Sequence, residues 1–230
     1  MRIGVISDLH ANLPALETVL RGFRERGVDG IVCCGDLIGI GPFPEETVRR
    51  VMSLPNLLGC VRGNHEEYLL SGIPAEGMDG EEVQLHRWAH SALFPESRSF
   101  LASLPRERTL ETEGRRLALV HYPPEGERGY RPIAPGKIPE YFAGLPADAA
   151  FYGHDHAPAA SFGETWLLNP GSVGCPGREQ AVARAGIFSW GKENAWEQLA
   201  FRYDPSPCVE KLRKLGLPAA ETVLKIFYGV

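Results

Sequence analysis

The chain has 230 residues, 43% apolar and 23% charged, the balance of a soluble globular protein long enough to bury a sizeable core. Its formal net charge of -5 counts against a general affinity for nucleic-acid backbone, which needs clustered Lys and Arg, but leaves an anionic substrate open if a bound metal inverts the local sign. No cleavable leader precedes the first apolar run, no stretch approaches the ~20 apolar residues of a membrane span, and the five cysteines lack paired spacing, so a cytoplasmic protein with buried, reduced thiols is expected.

In chain order, "RIGVIS" reads as a short buried strand. "NLPALETVLRGFRERG" follows with Leu13, Leu16, Val19, Leu20 and Phe23 at helical spacing, Asn12 to cap it, Pro14 in its first turn and Gly27 to stop it. "DGIVCCGD" is a second strand, in which the adjacent Cys33 and Cys34 point to opposite faces, "FPEETVRRVM" a second helix, and "NLLGCVRG" a third strand. This β-α-β-α-β order favours parallel strands with helical crossovers. Glu66 and Glu67 fall in the first turn of a helix, where negative charge is favoured. Residues from about 80 to 104 read as broken helix.

From there the pattern changes. "RTLETEGRRLALVHY" reads as a hairpin turning near Gly114. "AAFYGH", "SFGETWLLN", "AVARAGIFSW" and "WEQLAFRYD" read as further short strands, and the tail from about 205 as two short helices split at Gly216-Leu217-Pro218. The expected architecture is one α/β domain, residues 1–230, with two packed sheets and helices outside. Its first half is expected to be mostly parallel and its second half mostly antiparallel.

The chemistry-bearing residues recur at one kind of place. Asp8 and His10 follow the first strand, Asp36 the second, Asn64 and His65 the third, His121 the hairpin, and His154 and His156 the run "PADAAFYG". Ligand sites of α/β sheets gather at the carboxyl ends of strands, so residues distant in sequence become neighbours there. Asp8/His10 and His154/His156 are each two apart, and in extended backbone such residues face the same way. A single histidine after a strand is usually just a satisfied polar residue, and "GNHE" alone is turn chemistry. Five segments that each end in potential ligands are another matter. Carboxylate, imidazole and amide oxygen together suit Zn, Mn, Fe or Ni, and seven donors suit a two-metal centre with a shared carboxylate better than a single ion.

"SDLHANLPALETVL", "CGDLIGIGPFP", "VRGNHEEYL", "LVHYPPEG", "YGHDHAP" and "LNPGSVGCP" stand in the order found in calcineurin-like metallophosphoesterases, which the chain resembles from Arg2 to about Trp190, and most of all their small bacterial and archaeal phosphodiesterase branch. The resemblance implies an α-β-β-α sandwich of two mixed sheets flanked by helices. It implies that Asp8, His10 and His156 bind one divalent ion, that Asn64, His121 and His154 bind another, and that Asp36 bridges them. His65 corresponds to the family's catalytic histidine, which is not a ligand. Two divalent ions, with manganese expected for activity and Zn, Fe or Ni as alternatives, would let a bridging water lose its proton and attack phosphorus in line, Asp36 and His65 being the catalytic pair. The expected substrate is a small phosphate ester, most of all a diester. Hydrolysis of phosphomonoesters or nucleotide polyphosphates on the same site is the alternative, and a non-enzymatic protein-binding module of the same fold is a second. No stable nucleic-acid complex or membrane contact is expected, and a homo-oligomer is open.

The chain departs from the family in places. Phosphoprotein phosphatases carry a second acid and then an arginine soon after the Gly-Asp pair, where this chain has Gly39 and no arginine. After His121 the branch usually has a small residue, and Tyr122 here is expected to narrow the substrate approach. Arg178 could meet a substrate phosphate, with a surface role as the default. "NPGSVG" reads as a packing turn that supports the site, in preference to a phosphate cradle. His86 and His90, four apart on a helix, read as part of a polar helix face.

Overall fold

The structure is a computed structural model that describes residues 1–72, 78–123, 133–175, 181–190 and 194–230. Its strands are β1 (Arg2–Ile6), β2 (Gly30–Cys33), β3 (Leu57–Cys60), β4 (Glu107–Thr112), β5 (Arg115–Val120), β6 (Ala149–Phe151), β7 (Ala159–Ser161), β8 (Trp166–Asn169), β9 (Val182–Ser189) and β10 (Ala195–Arg202). Its α-helices are α1 (Leu13–Glu25), α2 (Pro44–Met52), α3 (Asn64–Ser71), α4 (Gly80–Ser91), α5 (Pro95–Ser103), α6 (Ile138–Tyr141), α7 (Ser206–Leu215) and α8 (Pro218–Val223), the last running into a π-helical turn, Leu224–Tyr228.

Two five-stranded mixed sheets form, in the orders β10-β9-β1-β2-β3 and β4-β5-β6-β8-β7. The alternation of the strands sorts their side chains into layers. Ile3 and Val5 of β1, Val32, Cys34, Leu117, Leu119, Phe151, Leu168 and Phe188 fill the space between the sheets. Ile6, Ile31, Cys33 and Ile187 face the other way, toward α1 and α2. Cys33 and Cys34 do lie on opposite faces, and all five cysteines are buried and free. Helix α1 forms as its spacing predicts. Asn12 Oδ1 accepts from the Ala15 amide at 3.1 Å, and Leu16, Val19, Leu20 and Phe23 are buried on one face. Each such side chain contributes about 1.5–3 kcal/mol by leaving water. The hairpin of β4 and β5 turns through Glu113 (φ 49°) and Gly114 (φ 75°), the two positive φ angles that a tight hairpin turn needs.

One expectation is corrected. "SFGETWLLN" is not one strand: its first residue ends β7, a turn follows at 163–165, and β8 then pairs antiparallel with β7. Gly163 breaks the run there, and Thr165 turns its hydroxyl to the Ala147 carbonyl. The second half is mostly antiparallel, as expected, with two parallel pairings. β5, β6 and β8 run parallel, because the long connection between β5 and β6 carries α6 as a crossover, while β9 and β10 return to the first sheet, where β9 pairs antiparallel with β1. As a result, β1, β2 and β3 of one sheet and β5 and β6 of the other end at a shared rim, and the segments after these ends hold Asp8, His10, Asp36, Asn64, His121 and His154.

Candidate metal centre

Four of the seven ligand candidates, and Ala11 beside them, leave extended backbone for the left-handed region. Asp8 (φ 53°), His10 (43°), Ala11 (52°), Asp36 (54°) and His154 (70°) are all left-handed. This corrects the idea that an i, i+2 pair faces one way along a pleat. Each segment turns sharply instead and brings its side chain back over the strand end. Such a conformation costs on the order of 1–3 kcal/mol per non-glycine residue and needs outside support. Backbone bonds between the loops supply it. The Asp8 amide donates to the Gly35 carbonyl at 3.0 Å, His10 to Asp36 at 2.9 Å, Ala11 to Leu37 at 2.8 Å and Gly153 to His121 at 3.1 Å.

Seven predicted residues gather into two adjoining sets. In the first, His10 Nε2 and His156 Nε2 are 3.0 Å apart, and each lies 3.8 Å from Asp8 Oδ1. In the second, Asn64 Oδ1 lies 3.1 Å from both His121 Nε2 and His154 Nδ1, and Asp36 Oδ2 lies 3.2 Å from His121 Nε2. Asp8, Asp36 and His121 also bring one ligand atom each to within 4.8 Å of one another, which joins the sets. His121 Nδ1 donates to the Cys34 carbonyl at 2.7 Å. A carbonyl can only accept, so the neutral ring must present its Nε2 lone pair to the site.

Charge is concentrated there. Burial pushes the Asp8 carboxyl up to about 7, against the pull of His121. Burial pushes Asp36 the same way, but His121 and His65 outweigh it and hold this carboxyl well below its usual range. Burial, reinforced by His65 and His156, holds His10 well below an ordinary imidazole. Burial would lower His121 as well, yet the charge and hydrogen bond of Asp36 carry it up to about 10. Asp8 Oδ2 is buried with no hydrogen-bond partner. Convergent carboxylate, imidazole and amide oxygens with such an orphaned anionic atom fit divalent cations.

Buried supports hold this arrangement. Glu66 is fully buried; its Oε1 accepts from the amides of Leu37 (2.8 Å) and Ile38 (3.3 Å), and its Oε2 from those of Asp36 (2.9 Å) and Gly63 (2.7 Å). It is therefore more than a first-turn acid, since it clamps the loop after β2 to the loop after β3. The "NPGSVG" segment is a packing turn, as expected. Ser172 Oγ donates to the Asp8 carbonyl at 2.8 Å, and the amides of Val173 and Gly174 donate to Ser7 and Asp8. Asn12, next to Ala11, donates to the Gly174 carbonyl and the Tyr203 hydroxyl.

His65 lies beside the two sets, not within either. Its amide donates to Asp36 Oδ1 at 2.9 Å, its Nε2 is 3.9 Å from Asp36 Oδ2, and its side chain is 12% exposed. Gly39 explains part of its placement. With φ 123°, this residue passes so close that a Cβ would stand 2.3 Å from His65 Nδ1. The polar-face reading of His86 is overturned. His86 is 3% exposed, and its ring lies 4.9 Å from the His65 ring, with Tyr68 edge-on to both. Helix α4 turns this residue inward because Leu85 and its neighbours pack on α8. His90 is half-buried beside it. Tyr122 stands edge-on to His154 at 5.0 Å and is half-buried. Arg178 lies outside the described residues. His10, Asp36 and His65 also bring one ligand atom each to within 4.8 Å of one another, and sequence reasoning missed Cys175, which forms a similar group with His10 and His156. Its only signal was its position one residue after "NPGSVG".

Residues 1–189 match the model of the calcineurin-like phosphoesterase superfamily domain. The chain is 30% identical to MJ0912, an uncharacterized protein of Methanocaldococcus jannaschii, over 94% of this chain and 93% of that one. It is 28% identical to the phosphodiesterase YfcE of Escherichia coli, over 76% of this chain and 81% of that protein. Among solved structures, a metallophosphoesterase from Sphaerobacter thermophilus superposes with a TM-score of 0.80 at 28% identity, over 100% of this chain and 99% of that one.

Proposed function

This chain belongs to the calcineurin-like phosphoesterase superfamily, and on that premise we propose that it is a phosphodiesterase that works through two divalent cations. The observation that carries the reading is the split of the donors into two sets with Asp36 at their junction. Asp8, His10 and His156 would hold one cation, and Asn64, His121 and His154 the other, with Asp36 shared. When bound, such a pair supplies positive charge to the phosphoryl oxygens and lowers the pKa of water, the chemistry of in-line displacement at phosphorus.

The protein's own groups do the rest. The cluster is buried apart from His65, His154 and His156, so an incoming phosphate meets these three imidazoles first. His65 is held by its amide on Asp36 and, when protonated against the burial that lowers its pKa, donates to the leaving oxygen, a role worth typically 10²–10⁴-fold. The Tyr122 ring beside His154 narrows the approach and favours a slim ester. Among the described residues, no Lys or Arg offsets buried Asp8 and Asp36, which leaves that task to histidines and the cations. We assign manganese as the activating ion, with Zn, Fe or Ni as alternatives, and a cytoplasmic enzyme that acts as a single domain. No helix among the described residues is long and apolar enough to cross a membrane.

Purified protein with Mn²⁺ is expected to hydrolyse bis(p-nitrophenyl) phosphate, and Asp36→Asn and His65→Ala are expected to lose most of that activity. Full activity in both variants would refute the mechanism. A matched panel of monoesters, cyclic nucleotides and dinucleoside polyphosphates separates a diesterase from the alternative hydrolases. Metal content below one ion per chain after Mn²⁺ soaking would favour a protein-binding module instead.

A further inference from the structure

Cys175 follows the "NPGSVG" turn, and its surroundings give it few options. It is 4% exposed. Its Sγ and one ring nitrogen each of His10 and His156 all lie within 4.8 Å of one another. Asp8 Oδ1 lies 3.8 Å from Nε2 of the same two histidines, so these imidazoles adjoin both the carboxylate and the thiol. The other Asp8 oxygen, Oδ2, is buried without a hydrogen-bond partner, and so is Nδ1 of His10, polar atoms of the kind that metal coordination satisfies.

The backbone beneath the thiol is firmly held. The Cys175 amide donates to Ser172 Oγ at 2.8 Å, and that hydroxyl donates in turn to the Asp8 carbonyl at 2.8 Å. The Gly174 amide donates to the same carbonyl at 2.9 Å. Gly174 is seated so tightly that a Cβ there would stand 1.8 Å from the Leu9 carbonyl oxygen. The backbone that leads to the thiol is therefore fastened to the very loop that carries Asp8 and His10. Cys175 stands far from the other cysteines in sequence, but its neighbours in space are metal-ligating side chains.

We propose that Cys175 is a further ligand of the cation held by Asp8, His10 and His156, and that it makes the two metal positions chemically unlike. The inference rests on the two-cation reading above. On coordination the S–H bond breaks, the proton passes to solvent and the sulfur binds as thiolate. A thiolate favours zinc or ferrous iron over manganese at this position. The second position, built from oxygen and nitrogen alone, stays open to manganese. The protein then carries a mixed pair, with a softer ion beside Cys175 and a harder one beside Asn64.

The test uses the full chain, stripped with chelator and reloaded with Co²⁺ while cobalt content is measured. The expected result is a near-ultraviolet sulfur-to-cobalt charge-transfer band in the wild-type protein that is absent from Cys175→Ser, although the variant still binds cobalt. Two bound cobalt ions in the wild type without that band would overturn the role of Cys175 and leave the two-cation reading intact. Failure to bind cobalt at all would overturn both. The wild-type spectrum does not depend on the variant folding. In competition with a chromophoric chelator, Cys175→Ser and Cys175→Ala should lose zinc affinity roughly 10–100-fold, the size of effect seen when a group tuning a metal site is removed. Manganese affinity should change far less, and equal losses for both ions would count against the proposal.

Discussion

Burial, with Asp36 beside it, pushes the Glu66 carboxyl up to about 7, so above that pH its replacement by glutamine removes one negative charge and one acceptor from a site with four amide donors. Each wild-type oxygen serves two of them, Oε1 those of Leu37 and Ile38 and Oε2 those of Asp36 and Gly63. The variant keeps one oxygen and turns an NH2 group toward the other two N–H groups. Two charge-assisted bonds are lost and a donor-donor contact takes their place. At about 1.5–3 kcal/mol per bond to a charged group, Glu66→Gln should cost about 3–6 kcal/mol. For a chain of this size that is a fall in Tm on the order of 10 °C. Thermal and urea denaturation of chelator-treated protein, followed by circular dichroism, would measure it. Loss of metal affinity should accompany the change, because the same clamp positions Asp36. A Tm within about 2 °C of wild type, with cation binding unaltered, would refute the view that Glu66 ties these loops together.

Gly39→Ala places a methyl where His65 Nδ1 now lies, at a φ of 123° that side chains resist, and should lower kcat more than 10-fold, the size of a displaced acid-base group, with cation content unchanged; an unaltered kcat would contradict it. His86→Ala opens a void beside the His65 ring and should cost about 2–4 kcal/mol in urea denaturation, by analogy with other large-to-small core changes. His86→Phe, which keeps a ring there, should recover most of that loss, and equal destabilisation by both variants would argue against a packing role. His121 provides a pH test of the metal-free protein. Its folded pKa of about 10 exceeds the ordinary 6.5, so its stabilising contribution is complete below pH 6.5 and fades as pH rises toward 10. Urea titrations in chelator should show stability falling by roughly 1 kcal/mol per pH unit from about pH 7 to about 8.5, and the slope should vanish once a cation takes the place of that proton. A flat metal-free profile would count against the His121–Asp36 pairing.

Much of this was legible in the sequence because the ligand candidates follow apolar runs whose strand character is local. Asp8 after "RIGVIS" and Asp36 after "GIVCCG" needed no tertiary knowledge to be placed at strand ends. The loop conformation was not legible. Five left-handed residues depend on hydrogen bonds between segments such as 8 and 35, or 10 and 36, which no local pattern encodes. His86 was misread for a related reason: helix α4 has weak amphipathicity, and only packing of Leu85 against α8 decides which face turns inward. Glu66 was placed in the right turn, but its partners 28 to 30 residues away could not be seen. Cys175 was set aside because paired spacing is a chain-order signal, and its neighbours His10 and His156 come from other strand ends.

The position of β1 has a consequence for biosynthesis. This first strand lies between β2 and β9, and its antiparallel neighbour spans residues 182–189. At ribosomal speeds of roughly 5–20 residues per second, about ten seconds or more separate the emergence of the two strands. During that interval one edge of the nascent N-terminal segment has unpaired amides and carbonyls, the kind of surface that chaperones shield and that misassembles when crowded. Such long-range pairing also makes renaturation slow compared with helical proteins of equal size.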